Sequence, residues 1–147
     1  MIDTLLPVLE ESGLAAFLRQ SRWVYAGVNA THILGIALLI GSILPFDLHR
    51  LGAWPQVPRE ALARVLIPTA GAGLLLAVLA GVLLFSVRAS EYIQNPAFLA
   101  KLALVAIGVI NAAVFHLTRQ RFALQALLSM LIWLAALASG RLIAFVD

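Results

Sequence analysis

Three histidines occur in the 147 residues, and one of them, His32, stands inside an otherwise apolar run, NATHILGIALLIGSILPFDLHR, over 29–50. An imidazole set among Leu, Ile, Ala and Gly can ligate a haem iron, pass a proton or hydrogen-bond to a neighbouring helix. A second nitrogen base, Lys101, lies in NPAFLAKLALVAIGVINAAVFH, over 95–116. Asn29 sits three residues before His32, and Asn111 follows Lys101 on the same apolar segment. These four form the candidate cofactor-binding set, with His32 as the candidate metal ligand. Asp47, His49, Arg50 and His116 make a second polar group. A polar side chain in hydrocarbon costs kilocalories unless it is paired, so each of these residues requires a partner or a task. No catalytic residue is assigned by type or spacing.

Cysteine is absent, which excludes disulfides, thiolate nucleophiles, Cys-ligated zinc and iron–sulfur clusters. Three histidines also cannot supply the four imidazoles of a bis-His di-haem cytochrome.

The elements that position these groups are set by hydropathy. The chain is 63% hydrophobic and 12% charged, with a mean hydropathy of +1.01, far above a soluble domain. Spanning about 30 Å of hydrocarbon takes about 20 apolar residues, and the sequence predicts four such spans, at about 24–45, 62–87, 96–118 and 122–141. The prediction is an all-α integral membrane protein: a four-helix up-down bundle forming a single transmembrane domain over 1–147. Residues 1–22 carry Asp3, Glu10, Glu11, Arg19 and Arg22, which fits neither a span nor a signal peptide. They are expected to form a short interfacial helix, capped by Ser12, with Leu14, Phe17 and Leu18 on one face. Trp23 and Tyr25 then mark the headgroup level.

Pro45 is expected to close the first span, leaving Phe46 to Ala63 as the longest loop. Gly73, Ala77 and Gly81 form a small-residue seam on the second span. Asn95-Pro96 is an N-cap followed by proline at the first helical position, and RQR over 119–121 makes a tight basic turn. The pI of 10.2 reflects basic residues scattered over helix ends, so no nucleic-acid partner is expected. Arg and Lys divide evenly between the two faces. With Lys101 set aside as intramembrane, Arg50, Arg59, Arg64, Arg119 and Arg121 outnumber the rest, which puts the termini outside the cytoplasm.

His32 falls roughly 10–14 Å into the first span and Lys101 some 7–8 Å into the third. An up-down bundle places both on the same membrane side, with Gly35 leaving open space beside the imidazole and Gly108 and Asn111 extending a polar, small-residue strip. Two layers result, one of His32 with Lys101, the other of His116 with Asp47, His49 and Arg50. The first suits a flat macrocycle or a proton path. The same residues also have structural readings: a histidine bonded across helices, a snorkelling lysine, and an Asp47–Arg50 ion pair in the loop at a helix end.

The order HILGIALLIGSILPFDLHRLG, LARVLIPTAGAGLLLAVLAGVLLF and NPAFLAKLALVAIGVINAAVFH resembles a group of small bacterial inner-membrane proteins known as a domain of unknown function. The likeness covers Trp23 to about Thr118. More distantly, the layout is similar to HemJ-type protoporphyrinogen oxidases and to the CopD-like copper-resistance membrane domain. The HemJ resemblance implies haem b binding and tetrapyrrole oxidation, carried by His32 and Lys101. The HemJ Arg-rich stretch is matched only by Asp47, His49 and Arg50, and its third-helix His cluster is missing. Two methionines and no cysteine offer little to copper.

The expectation is therefore an inner-membrane protein that binds haem b for a redox role, with His32 as an axial ligand and Lys101 as a second ligand or propionate partner. Quinone or a tetrapyrrole would be its partner in the bilayer. The alternatives are a non-enzymatic anchor or accessory subunit, as a homo-oligomer or beside a partner membrane subunit, and a small transporter or proton-conducting protein. A haem site predicts one cavity shared by His32 and Lys101. An anchor predicts tight packing of the first span on the third, and a transporter predicts a polar path joining the two layers.

Overall fold

The computed structural model describes residues 2–118 and 123–145. The described chain is all α-helical: α1 (Ile2–Glu10), α2 (Gly13–Gln20), α3 (Arg22–Arg50), α4 (Arg59–Val87), α5 (Ala89–Gln94), α6 (Pro96–Thr118) and α7 (Ala123–Leu142). Helices α3, α4, α6 and α7 are long and apolar enough to cross a bilayer, and they pack as an up-down bundle. Large apolar side chains such as Ile33, Val65, Ile110 and Leu131 lie exposed on its outside, where only lipid is an adequate solvent. The protein is a multi-pass integral membrane protein.

The first span does not stop at Pro45. Proline removes one backbone donor from α3, but Phe46 and Asp47 just beyond it are buried at 8% and 3% exposure, and packing holds the helix together. The stop signal is Gly52, at φ +105°. Its N–H bonds to His49 O at 3.0 Å and the Ala53 N–H to Leu48 O at 3.0 Å, the pairing of a Schellman cap. Asp47, His49 and Arg50 therefore belong to the last turns of a helix rather than to a loop. The second span likewise begins earlier, at Arg59. The third span starts at Pro96 as expected, with Asn95 Oδ1 accepting from the N–H groups of Ala97 at 3.0 Å and Phe98 at 3.2 Å. The basic turn at 119–121 lies outside the described residues.

Small residues set the tightest contact. Gly35 of α3 meets the α4 backbone so closely that a Cβ would fall 2.5 Å from Ala77 N and 2.8 Å from Gly73 O. The seam on α4 thus does what its spacing predicted, and the space expected beside His32 at Gly35 is filled by α4. The second pair is α6 with α7, where the Trp133 indole occupies the room a Cβ at Gly108 would need, at 2.8 Å. Helices α3 and α7 join the two pairs. Among the described residues α4 and α6 make no close backbone approach, so the bundle is open on that side. It is fastened near the termini by the stacked rings of Phe85 and Phe98, with centroids 5.6 Å apart, and by Tyr92 beside them.

The N-terminal segment forms two helices, and Ser12 caps the second, accepting from Ala15 N at 3.3 Å. Its buried face is Ala15 and Leu18, at 0% and 2% exposure, whereas Leu14 and Phe17 point outward at 53% and 55%. Arg19 anchors the pair by donating to Val87 O at 3.1 Å, at the carbonyl end of α4, and to Glu10 O. Glu10 Oε1 accepts from Ser90 N at 2.7 Å. That N–H, with Arg19 nearby, holds the carboxyl below its ordinary value of 4.5. A depressed carboxyl pKa contributes stability above its unfolded value and loses it as pH falls through the folded one. Docking of α1 and α2 should therefore loosen below about pH 4.5, and Glu10→Gln should abolish that pH dependence, as read by amide exchange at Ser90 across pH 3–7.

Candidate functional site

The residues expected to form two polar layers lie toward opposite ends of the bundle, and the structure arranges the two groups differently. In the layer nearer the termini, His32 turns toward α4, its Nδ1 2.7 Å from the Ala77 carbonyl oxygen. The carbonyl accepts, so Nδ1 carries the proton and a neutral ring has its lone pair on Nε2. Gly81 makes this possible: a Cβ there would sit 3.1 Å from Cε1 and 3.4 Å from Nδ1. Lys101 runs along α7, its Cδ, Cε and Nζ each 3.5 Å from where Gly140 would carry a Cβ. It lies within electrostatic range of His32, although α3 and α6 make no close backbone approach among the described residues.

Two members of the predicted set separate from this pair. Asn29 is exposed on the outer surface of α3. Asn111 belongs to the opposite layer, where its backbone oxygen accepts from Gln125 Nε2 at 3.4 Å. The cause is helix geometry: ten residues on α6 separate Asn111 from Lys101, about 15 Å along the axis. The glycine-floored cavity expected beside His32 is not built, because Gly35 and Gly108 are filled by the α4 backbone and the Trp133 indole.

The opposite layer contains a cavity of about 230 Å³. Its floor is Ser42, Asp47 and Arg50 of α3 with Ser129 and Trp133 of α7, and its flanks are α4 and α6, through residues such as Leu66, Leu74, Val109 and Phe115. Asn111 and His116 also line it. Neither His32 nor Lys101 does. The two helices that flank the cavity, α4 and α6, make no close backbone approach to each other among the described residues.

The polar floor is closely arranged. Arg50 Nη1 donates to Asp47 Oδ1 at 2.9 Å, with the two side chains 6% and 4% exposed. Its Nη2 donates to Gln125 Oε1 at 3.1 Å, and the guanidinium lies 4.4 Å from the Phe115 ring centroid. The ion pair foreseen at the helix end is thus present, but buried. Asp47 Oδ2 has no partner meeting hydrogen-bond geometry, although the Ser129 hydroxyl is beside the carboxylate. His49 is turned away: Nε2 donates to Val57 O at 2.8 Å and pins the α3–α4 loop, leaving Nδ1 buried without a partner. His116 is exposed and packs edge-on against Phe115, with ring centroids 5.4 Å apart.

Sequence reasoning missed Trp133 in this floor and Gln125, which bonds Arg50 behind it. Gln125, Ser129 and Trp133 recur every four residues along α7, and that spacing places them on one face.

The chain matches no protein-family model, and comparison with curated proteins and with solved structures returns no match. Fold and site define the class: a four-span membrane bundle, open on one side, with a buried ion pair at the floor of an apolar cavity.

Proposed function

We propose that this protein binds a small lipid-soluble molecule, which enters from the bilayer between α4 and α6 and settles over the Asp47–Arg50 pair. The observation that carries this reading is Asp47: a carboxylate only 4% exposed, with one oxygen that makes no hydrogen bond of full geometry, at the polar floor of a cavity whose remaining lining is mostly apolar. A buried polar group left partly unsatisfied costs free energy of about 1–3 kcal/mol, more when charged. A buried group left this way calls for an explanation, and at the floor of a cavity a ligand that completes it supplies one. The resemblance and the basic α3–α4 side support placement in a bacterial inner membrane with the termini outside the cytoplasm.

The cavity-lining Trp133 supplies the test. In a Trp23→Phe/Trp54→Phe background, 1,10-dibromodecane added to the protein in nanodiscs should quench Trp133 fluorescence. Gly71 lines the mouth with nothing within 4 Å of a Cβ placed there, so Gly71→Leu should fold and cut the quenching severalfold. Equal quenching in both proteins would overturn lateral entry.

A second reading rests on His32. Metal-ligating histidines usually donate their other ring nitrogen to a carbonyl or carboxylate, which fixes the tautomer, and Ala77 O fits that role. His32, through Nε2, and the Lys101 amine are the groups that would hold a haem b, which would have to open the space now closed at Gly35 by the α4 backbone and at Gly108 by the Trp133 indole. Bound there, haem would supply one-electron redox chemistry. Visible spectra of the detergent-purified protein from haem-replete cells, oxidised and dithionite-reduced, should show a Soret band and sharp reduced bands that His32→Ala removes. Colourless wild-type protein would remove this reading and leave the cavity reading intact. An anchor or accessory subunit has weaker support, since α3 and α6 do not pack tightly. A conducting path has less, since Leu102 to Ile110 of α6 offers no polar side chain between the layers.

A further inference from the structure

Resting on the lateral-entry reading, we infer that the cavity takes a neutral, single-ring lipid carrying a ring hydroxyl, of the quinol or long-chain phenol class, with the hydroxyl donating to Asp47. Charge points first to a neutral head. The guanidinium of Arg50 is already committed to Asp47 Oδ1, to Gln125 Oε1 and to the face of Phe115. Asp47 Oδ2 makes no hydrogen bond of full geometry and has the Ser129 hydroxyl beside it, so it attracts a stronger donor and repels the oxyanions of a phosphate or carboxylate head. Oδ2 carries almost no open surface, and Ser129, which lines the cavity, lies beside the carboxylate; a ligand hydroxyl reaches it by taking the place of the Ser129 hydroxyl, which leaves the Arg50–Oδ1 bond intact.

Size and shape point to one ring. A dry cavity of about 150 Å³ accommodates benzene, and this one, at about 230 Å³, holds a single ring with its substituents. Phe46, Phe115 and Trp133 provide aromatic walls, and Phe46 and Phe115 already meet edge to face at 6.1 Å, the geometry preferred between aromatic groups. Ser42 and Asn111 bring a hydroxyl and an amide to the same lining, chemistry suited to the oxygen across the ring. A tail leaves past Leu66, Leu74 and Val109 through the gap between α4 and α6, where the hydrocarbon of the bilayer receives it.

The test compares decyl-1,4-hydroquinone, its dimethyl ether and dodecyl phosphate on the full-length protein in nanodiscs under anaerobic conditions, with binding followed by Trp133 fluorescence in the Trp23→Phe/Trp54→Phe background. One hydrogen bond to a charged acceptor contributes roughly tenfold or more in affinity. The hydroquinone should therefore bind at least about tenfold more tightly than the ether, which keeps the ring and tail but has no donor. Gly71→Leu should weaken hydroquinone binding by a similar factor, and dodecyl phosphate should not displace it. Asp47→Asn should erase the preference over the ether if that variant folds, and Gly71→Leu keeps the test decisive if it does not. An ether that binds as tightly as the hydroquinone overturns the hydroxyl assignment while leaving lateral entry standing. Displacement by dodecyl phosphate does the same and identifies an anionic headgroup site. Absence of binding by all three, with no effect of Gly71→Leu, overturns both readings.

Discussion

Gly35→Ala should destabilise the protein by about 3 kcal/mol, the upper end of the usual range for overpacking. The added methyl would lie 2.5 Å from Ala77 N and 2.8 Å from Gly73 O. Both are helix backbone atoms, which cannot rotate away as a side chain tip does. The α3–α4 pair must separate, and with it go the His32–Ala77 hydrogen bond and the fit of Leu39 against α4. Gly73→Ala faces the same barrier, with a Cβ 2.6 Å from Leu39 N and 2.7 Å from Gly35 O. Because the two glycines confront each other, the double variant should cost less than the sum of the singles: once the helices have parted, the second methyl meets little resistance. Gly71→Ala is the control. It has open space around it and gains helix propensity, so it should be neutral or stabilising by up to about 1 kcal/mol. Unfolding by SDS titration in mixed micelles reads all four. A Gly35→Ala protein as stable as Gly71→Ala would mean that α3 and α4 do not approach at this seam.

Arg50→Ala should cost about 3–5 kcal/mol, the usual penalty for stripping one partner from a buried ion pair. Asp47 would then be left 4% exposed without its Arg50 ion pair, and Gln125 Oε1 would lose its donor from Arg50. The reciprocal Asp47→Ala should be similarly severe. Replacing both, as Asp47→Leu/Arg50→Met, should recover most of the loss, since apolar residues of similar volume commonly match or exceed a buried pair in stability. That double variant separates structure from function. Stable by SDS titration, it should nonetheless have lost the preference for hydroquinone over its ether. If the double variant is as damaged as the singles, the pair acts as a structural element that apolar packing cannot replace, and its presence no longer argues for a ligand.

Much of this architecture was legible in the chain. Four spans follow from hydropathy, because a bilayer admits few structures other than helices with every backbone group bonded internally. The Asn95-Pro96 start of α6, the Ser12 cap and the seam at Gly73, Ala77 and Gly81 are local signals, each settled within a turn or two of helix. The end of α3 is a competition between two local signals. Pro45 predicts a stop, yet Gly52 ends the helix, since one missing backbone donor matters less than burying Phe46 and Asp47. His32 and Asp47–Arg50 were identified by type, as polar groups too costly to leave unpaired in hydrocarbon.

What they face was decided only by tertiary structure. The same absent side chain reads as empty space or as close packing until the neighbour is known, and at Gly35 and Gly108 it was packing, by a helix backbone and by an indole. The cavity arose elsewhere, because α4 and α6 are held apart by the partners each prefers, α3 for one and α7 for the other. Hydropathy and local caps are properties of a segment and are written in its sequence. A cavity is a property of the distance between segments, and that distance is fixed by how several glycines, one indole and one ion pair pack at once.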